Sequence, residues 1–396
     1  MEIRTLHDLK EIEGKRILVR VDFNVPLKED GTVQDDTRIE AALPTIKHLI
    51  EKKAKIILLS HLGRPGGEIK EELRLTKVAE HLSNLIQQPV NKLDEVIGNN
   101  VEEAIKEMKN GEIVMLENTR FHAEEKKCEE EFTKKLASLG DIYVNDAFGA
   151  AHRKHASTAG IADHIEAYAG FLMEKEIKAL SPILNEEPKR PLTMIFGGAK
   201  IDTKIGVIKN FLDKADYFLI GGALANTFLS AAGFNVAKSL YEEEKTDIAR
   251  EIMLEAEKEN HQFLIPEDVI AASEIAEDAE TIDIPARDVI GDMKILDIGK
   301  LTTEKYKEII RKSGTIIWNG PVGLTEFTPF QNGSRAIAEE IADNDCVSIL
   351  GGGDTIDCIN RFNINEEKYT HVSTGGGASL EFLAGEGLPG IECLKK

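Results

Sequence analysis

Ten short runs rich in valine, isoleucine and leucine recur along this chain, at residues 16–23, 55–61, 112–118, 141–148, 191–198, 216–222, 262–266, 315–320, 346–351 and 371–375. Between them lie stretches with helical periodicity, at 75–86, 129–139, 246–259 and 334–342. In the first of these, Leu75, Val78, Leu82, Leu85 and Ile86 fall on one stripe. Near-continuous apolar strands alternating with helices predict parallel sheets covered on both faces, because a strand with one wet face would alternate apolar and polar residues instead.

A chain of 396 residues suits two such units better than one. The expected fold class is therefore α/β, with two doubly wound parallel-sheet (Rossmann-like) domains joined by a hinge helix. The connector is sought at 181–191, where Pro182, Pro188 and Pro191 stand among charged residues. The helical spacing at 172–184 suggests a rigid linker just before it. The expected boundaries are 1–170, a hinge at 171–190, and 191–387. Within the helical pattern at 38–52, Pro44 predicts a kink or a restart.

The formal net charge of −21 argues against nucleic acid or an anionic membrane as partner. Basic residues that bind an anion must then be concentrated locally. The four cysteines have no metal-ligand or paired spacing, and the polar first residues lack an apolar leader. A reducing, cytoplasmic setting would suit that pattern, and we expect a cytoplasmic protein acting as a monomer on small molecules.

In open parallel sheets, ligands sit outside the carboxyl ends of the strands. In the first half these exits carry Asp22 and Asn24, then His61 with Arg64, then Arg120, then Arg153, while Arg38 opens the first helical pattern. One arginine would most simply be a surface salt bridge in a protein with 70 acidic residues. Several at equivalent topological places point to a pocket for a small, multiply charged anion, since guanidinium matches carboxylate and phosphate in a two-pronged fashion. His122, His152 and His155 lack a regular metal-ligand spacing and read as satisfied polar side chains.

The second half leaves its strands through glycines: 197–198, 221–222, 320 with 323, 351–353 and 375–377. Such exits allow backbone amides to approach phosphate at helix starts. Lys200 and Lys204 are spaced to share one face of a helix near its first turn, where only an anion would compensate them. Asp354 follows a glycine run and suits Mg²⁺, which takes one or two carboxylates plus phosphate oxygens. The GxGxxG match at 385–390 contains Pro389 and opens no helix, and no GxxxxGK[ST] occurs. Phosphoryl transfer between an anion pocket and a nucleotide site is the economical reading.

The stretches VDFNVP (21–26), DDTRI (35–39), SHLGRP (60–65), ENTRF (117–121), VNDAFGAAHRKHAS (144–157), GGAK (197–200), WNGPVG (318–323), GGGDT (351–355) and STGGGASLE (373–381) together resemble the phosphoglycerate kinases over essentially the whole chain. The resemblance implies Mg²⁺-dependent transfer between 1,3-bisphosphoglycerate and ADP, giving 3-phosphoglycerate and ATP. It implies a triose site made of Asp22, Phe23, Asn24, Arg38, His61, Leu62, Gly63, Arg64, Arg120 and Arg153. For the ATP/ADP side it implies Lys204, Asn319, Glu326, Gly352, Gly353, Asp354 and Thr355, with Asp354 meeting the metal. Arg38 and Lys200 would flank the phosphoryl group in flight. Residues 388–396 would pack back on the first domain, and closure about 170–191 would exclude water. The chain departs from the family pattern at Ile295, where a glycine is usual, and at Ile356-Asp357-Cys358, where small residues are usual.

Overall fold

The structure is a computed structural model that describes residues 2–185, 188–258 and 261–396. Glu186 and Glu187 of the connector, and Glu259 at the end of the third helical pattern, lie outside the described residues. The chain divides into two compact units, one reaching Lys178 and taking back Gly387–Lys396, the other spanning Ala179–Glu386.

The first unit is built on β1 (Arg16–Arg20), β2 (Lys55–Leu59), β3 (Val90–Lys92), β4 (Ile113–Met115), β5 (Ile142–Asn145) and β6 (Ala167–Ala169). They form one sheet in the order β3-β4-β2-β1-β5-β6, every pair parallel. Ile17, Leu18 and Val19 point alternately to opposite faces, yet all are fully buried, so both faces of the sheet are covered. The four strands expected here are the contiguous set β4-β2-β1-β5, which brings their carboxyl ends side by side. β3 and β6 escaped the sequence reading because each has three residues and stands at a sheet edge. The helix Thr37–Glu51 runs through Pro44 without a restart. Ile39, Ala42, Ile46 and Leu49 are fully buried on either side of the proline and hold the helix to the core. The helix Phe171–Asn185 likewise contains Pro182.

The second unit has a sheet of β7 (Leu192–Phe196), β8 (Tyr217–Ile220) and β9 (Gln262–Leu264), then, after three strands of another sheet, β13 (Thr315–Asn319), β14 (Val347–Gly351) and β15 (His371–Ser373). Its order is β15-β14-β13-β7-β8-β9, again wholly parallel. The intervening β10 (Asp268–Ala272), β11 (Ile282–Pro285) and β12 (Lys294–Ile298) form an antiparallel sheet with β10 in the middle. This sheet was not anticipated: its strands are only partly buried and interrupted by Asp283, Lys294 and Asp297, so they do not stand out as apolar runs. Ile295, at the departure from the family pattern, is 8 % exposed and packs with Leu229, Val236 and Val269, which gives its side chain an apolar berth.

Candidate active site

The adjacent strand exits of the first unit gather a cationic cluster. Arg38 Nη1 donates to Asp22 Oδ2 at 3.0 Å and to the Asn24 carbonyl at 3.2 Å. His61 is 4 % exposed, with Nδ1 3.7 Å from Asp22 Oδ1. Burial pushes the His61 imidazole well below its ordinary range, and Arg20, Arg120, Arg153 and Arg38 push it further in the same direction. Burial and the repulsion of Arg153 and Arg20 likewise pull the Arg120 guanidinium down to about 10, against the attraction of Glu125 and Asp22. Positive charge is thus in excess here, inside a protein of strongly negative net charge. Asp22 Oδ1 and Arg120 Nε are buried without a hydrogen-bond partner among the described residues. A buried polar atom left unpaired is costly, which marks a place where a ligand belongs.

Other residues of the expected set build the pocket rather than line it with free groups. Phe23 is fully buried in the hydrophobic core, so only its backbone belongs near the site. Leu62 is buried in that core too, and both its N–H and its carbonyl are bonded to the Asn118 side chain. Gly63, with φ of 63°, gives its N–H to Asn24 Oδ1 at 2.8 Å and accepts Arg120 Nη1 at 2.9 Å through its carbonyl. These bonds lock three strand exits to one another. Arg64 is exposed, with no ion pair among the described residues. Arg153 donates to the neighbouring His152 ring at 2.9 Å.

Sequence reasoning missed two supports. Arg20 is 1 % exposed at the end of β1. Glu117, also 1 % exposed, accepts from Arg74, from Lys92 and from the amides of Leu75 and Asn118, fixing the exit of β4. The available signal was charge embedded in an apolar strand run, which must be paired once buried.

The histidines give the first unit an acid limit. Burial, then Arg120, Arg20 and Arg153, bring His155 from 6.5 to about 4. A histidine whose folded-state value is depressed contributes stability above its unfolded value, and loses it as pH falls toward the folded one. The His155 contribution should therefore fall between pH 6.5 and about 4, by about 3 kcal/mol, against the opposite trend of the buried Asp146 carboxyl, which burial raises to about 6. Denaturant melts across that range check it; in His155→Asn the slope should flatten, and an unchanged slope would exclude this source.

In the second unit, a cleft of about 590 Å³ is lined by Gly198, Gly222, Tyr241, Leu296, Val322 and Glu326 among others, with Asp354 at its edge. The glycines here act differently from expectation. Gly197 N–H bonds the Asn319 carbonyl, Gly198 N–H that of Pro321, Gly221 N–H that of Phe196, and Gly222 N–H that of Val322. Gly320 N–H donates to Thr355 Oγ1 at 2.7 Å. These amides join neighbouring strand exits and are not open to phosphate. A side chain at Gly197 would bring Cβ within 2.0 Å of the Pro321 carbonyl oxygen. Thr355 is fully buried and its hydroxyl also reaches the Gly351 carbonyl, so it braces the loop.

Among the glycine exits, the start of the helix Gly353–Arg361 stays open toward a ligand, with Gly352, Gly353 and the exposed Asp354 in or before its first turn, as does the start of the helix Gly377–Leu383 behind Gly376. Gly352 has φ of 96° and abuts the Asn319 amide, which itself donates to the Gly351 carbonyl. Lys204 is 8 % exposed; burial lowers its ammonium, while Asp354 and Glu242 draw it back up. The helix beyond Gly197-Gly198 begins only at Asp202, and the Ile201 N–H just before it is bonded to Glu242 at 2.6 Å. Lys204 therefore stands in the first turn while Lys200 lies ahead of it, exposed in the loop, and the two do not share a helical face. Glu326 is exposed at the cleft wall. Among the described residues no three His, Cys, Asp or Glu side chains converge into a metal cage. A lone carboxylate at a helix start is a donor set that suits Mg²⁺ carried in with a nucleotide.

A doubly wound unit with a guanidinium-rich anion pocket, and another with a glycine-lined cleft, a lysine and a carboxylate at a helix start, define a phosphotransferase working on small anionic substrates. The comparisons narrow this. The family description for phosphoglycerate kinase matches residues 6–386. A phosphoglycerate kinase of Dictyoglomus turgidum is 54 % identical, over all of both chains. Among solved structures, the phosphoglycerate kinase of Coxiella burnetii is 40 % identical with a TM-score of 0.89, covering 99 % of each chain. That of Pyrococcus horikoshii is 37 % identical with a TM-score of 0.87, covering 99 % of this chain and 98 % of its own. The chain belongs to the phosphoglycerate kinase family. Its reaction is the glycolytic exchange of a phosphoryl group between 1,3-bisphosphoglycerate and ADP, and its co-substrate is ATP or ADP. No helix among the described residues is long and apolar enough to cross a membrane.

Proposed function

We propose that the triose substrate is held by Asp22, Asn24, Arg38, His61, Arg64, Arg120 and Arg153, with Phe23, Leu62 and Gly63 shaping the pocket through their backbone. The observation that carries this reading is the pair of buried, unpartnered atoms, Asp22 Oδ1 and Arg120 Nε, set among four guanidinium groups. ADP or ATP occupies the cleft of the second unit, where Glu326 receives the ribose hydroxyls. Lys204, Gly352, Gly353 and Asn319 surround the phosphates, and Thr355 holds their loop in shape. Asp354 would hold Mg²⁺, which would supply positive charge to offset that of the phosphates.

The chemistry asks little of the protein beyond alignment and charge. The attacking group is a carboxylate of 3-phosphoglycerate, or in the other direction an ADP phosphate oxygen, and each is ionised near pH 7, so no general base is needed. Arg38 and Lys200 stabilise the equatorial oxygens of the group in transit, where charge spreads as the old bond loosens before the new one forms. We further propose that residues 171–190 form a hinge between a triose domain at 1–170, joined by 388–396, and a nucleotide domain at 191–387. The enzyme is cytoplasmic, works as a monomer and takes no nucleic acid partner.

A coupled assay with ADP and 1,3-bisphosphoglycerate, run across Mg²⁺ concentrations, tests the metal assignment. Activity should vanish on chelation and return with Mg²⁺. Asp354→Asn should raise the Mg²⁺ concentration needed for half-maximal rate by about tenfold or more. An unshifted Mg²⁺ dependence in that variant would remove Asp354 from the metal site, and preference for another acyl phosphate would reassign the pocket.

A further inference from the structure

Arg20 is a buried charge with every nitrogen engaged. Nε donates to Ser157 Oγ at 2.8 Å, Nη1 to the Val21 carbonyl, and Nη2 meets His61 Nδ1 at 2.9 Å. Ser157 in turn donates through Oγ to Glu125 Oε1 at 2.5 Å and through its amide to Glu125 Oε2 at 3.0 Å. Glu125 is fully buried. The guanidinium is therefore fastened, through Ser157, to a carboxylate that cannot leave.

A guanidinium donates hydrogen bonds and accepts none. The 2.9 Å contact consequently requires His61 Nδ1 to act as acceptor, with the ring proton on Nε2. The remaining acceptor near Nδ1, Asp22 Oδ1, lies at 3.7 Å, beyond hydrogen-bond reach. The charged groups facing the ring are Arg20, Asp22, Arg38, Arg120 and Arg153, so four cations oppose a proton on Nδ1 and one carboxylate favours it.

We propose that Arg20 is a positioning residue that holds His61 as the neutral Nε2–H tautomer, so that the imidazole offers the triose ligand a hydrogen-bond donor and not a cation. In this arrangement the positive charge of the pocket comes from the arginines alone and does not change across roughly pH 5–8, while His61 contributes direction. Burial and the surrounding guanidinium groups, which depress the imidazolium, act in the same sense.

The inference rests on reading the pocket as the triose site, and the test separates the two. Long-range proton–nitrogen correlation spectra of the ligand-free enzyme, with His61 assigned by its loss in His61→Asn, report the tautomer whether or not any triose binds. An unprotonated Nδ1 and a protonated Nε2, unchanged across roughly pH 5–8, are expected. A proton on Nδ1, or a titration of His61 within that range, would overturn the proposal. Arg20→Gln places an amide that can accept from Nδ1–H. Its KM for 3-phosphoglycerate should rise by about tenfold or more and become pH-dependent, while kcat at saturation changes far less, the pattern of lost binding and not of lost chemistry. Arg20→Lys, which again can only donate, should restore the pH-independent KM. Should Arg20→Gln fail to fold, the wild-type spectrum still decides.

Discussion

Lys200→Ala should leave the folded state within about 0.5 kcal/mol of wild type and lower kcat by about 10²–10³-fold. The stability half follows from position: Lys200 lies exposed in the loop before the helix Asp202–Phe211, with no ion pair or hydrogen bond holding its ammonium among the described residues. An exposed side chain without partners supports nothing that its loss could unfold. The kinetic half follows from the reaction. A phosphoryl group in transit spreads charge over its equatorial oxygens, and a single preorganised cation at such a place is worth a few kcal/mol. Because the effect belongs to the transition state, KM for ADP should move much less than kcat. Thermal melts alongside initial rates decide the matter: a variant with the wild-type rate would strip Lys200 of its role, and one that melts early would make it structural.

Gly197→Ala should have the opposite signature, a large loss of stability, with activity lost only because the second unit no longer folds. The added Cβ would sit 2.0 Å from the Pro321 carbonyl oxygen, 2.5 Å from its carbon and 2.6 Å from the Gly320 carbonyl oxygen. All three are backbone atoms of the neighbouring strand exit, so no rotamer change relieves them. Separating the exits would also break the Gly197 and Gly198 amide bonds to Asn319 and Pro321. A destabilisation of about 4 kcal/mol or more is expected, at the far end of single-substitution effects. Denaturant titration followed through Trp318, fully buried in the same strand layer, measures it. A midpoint near wild type would mean that the exits can part without cost.

These two residues also show what the sequence made legible. Four strands of the first sheet and all six of the second parallel sheet were readable because they are short apolar runs, continuous where both faces are buried, and their charged or glycine exits stand out against them. Asp22, Arg38, His61, Arg120 and Arg153 could therefore be grouped before any coordinates. The glycine pairs were found for a correct reason and given an incorrect task. Glycine signals close approach, but sequence does not say to what, and here the approaching object is mostly the next strand exit. Arg20, and the bracing role of Thr355, stayed hidden because they are defined by partners far along the chain, Ser157 and His61 for Arg20 and Gly320 for Thr355. The antiparallel sheet β10–β12 was missed since half-buried strands carrying acidic residues resemble loops when read for apolar runs alone.

The return of Gly387–Lys396 to the first unit has a bearing on biosynthesis. Leu388, Ile391 and Leu394 are buried there. The Gly390 carbonyl accepts from Asn145 and its amide donates to Ala151, while Arg4 donates its amide to the Leu394 carbonyl. Every residue of the second unit leaves the ribosome before these contacts can form. The sheet of the first unit must therefore wait, with Asn145 and the Ala151 carbonyl lacking those partners, through translation of the whole second unit, and this seam closes only once Gly387–Lys396 has emerged.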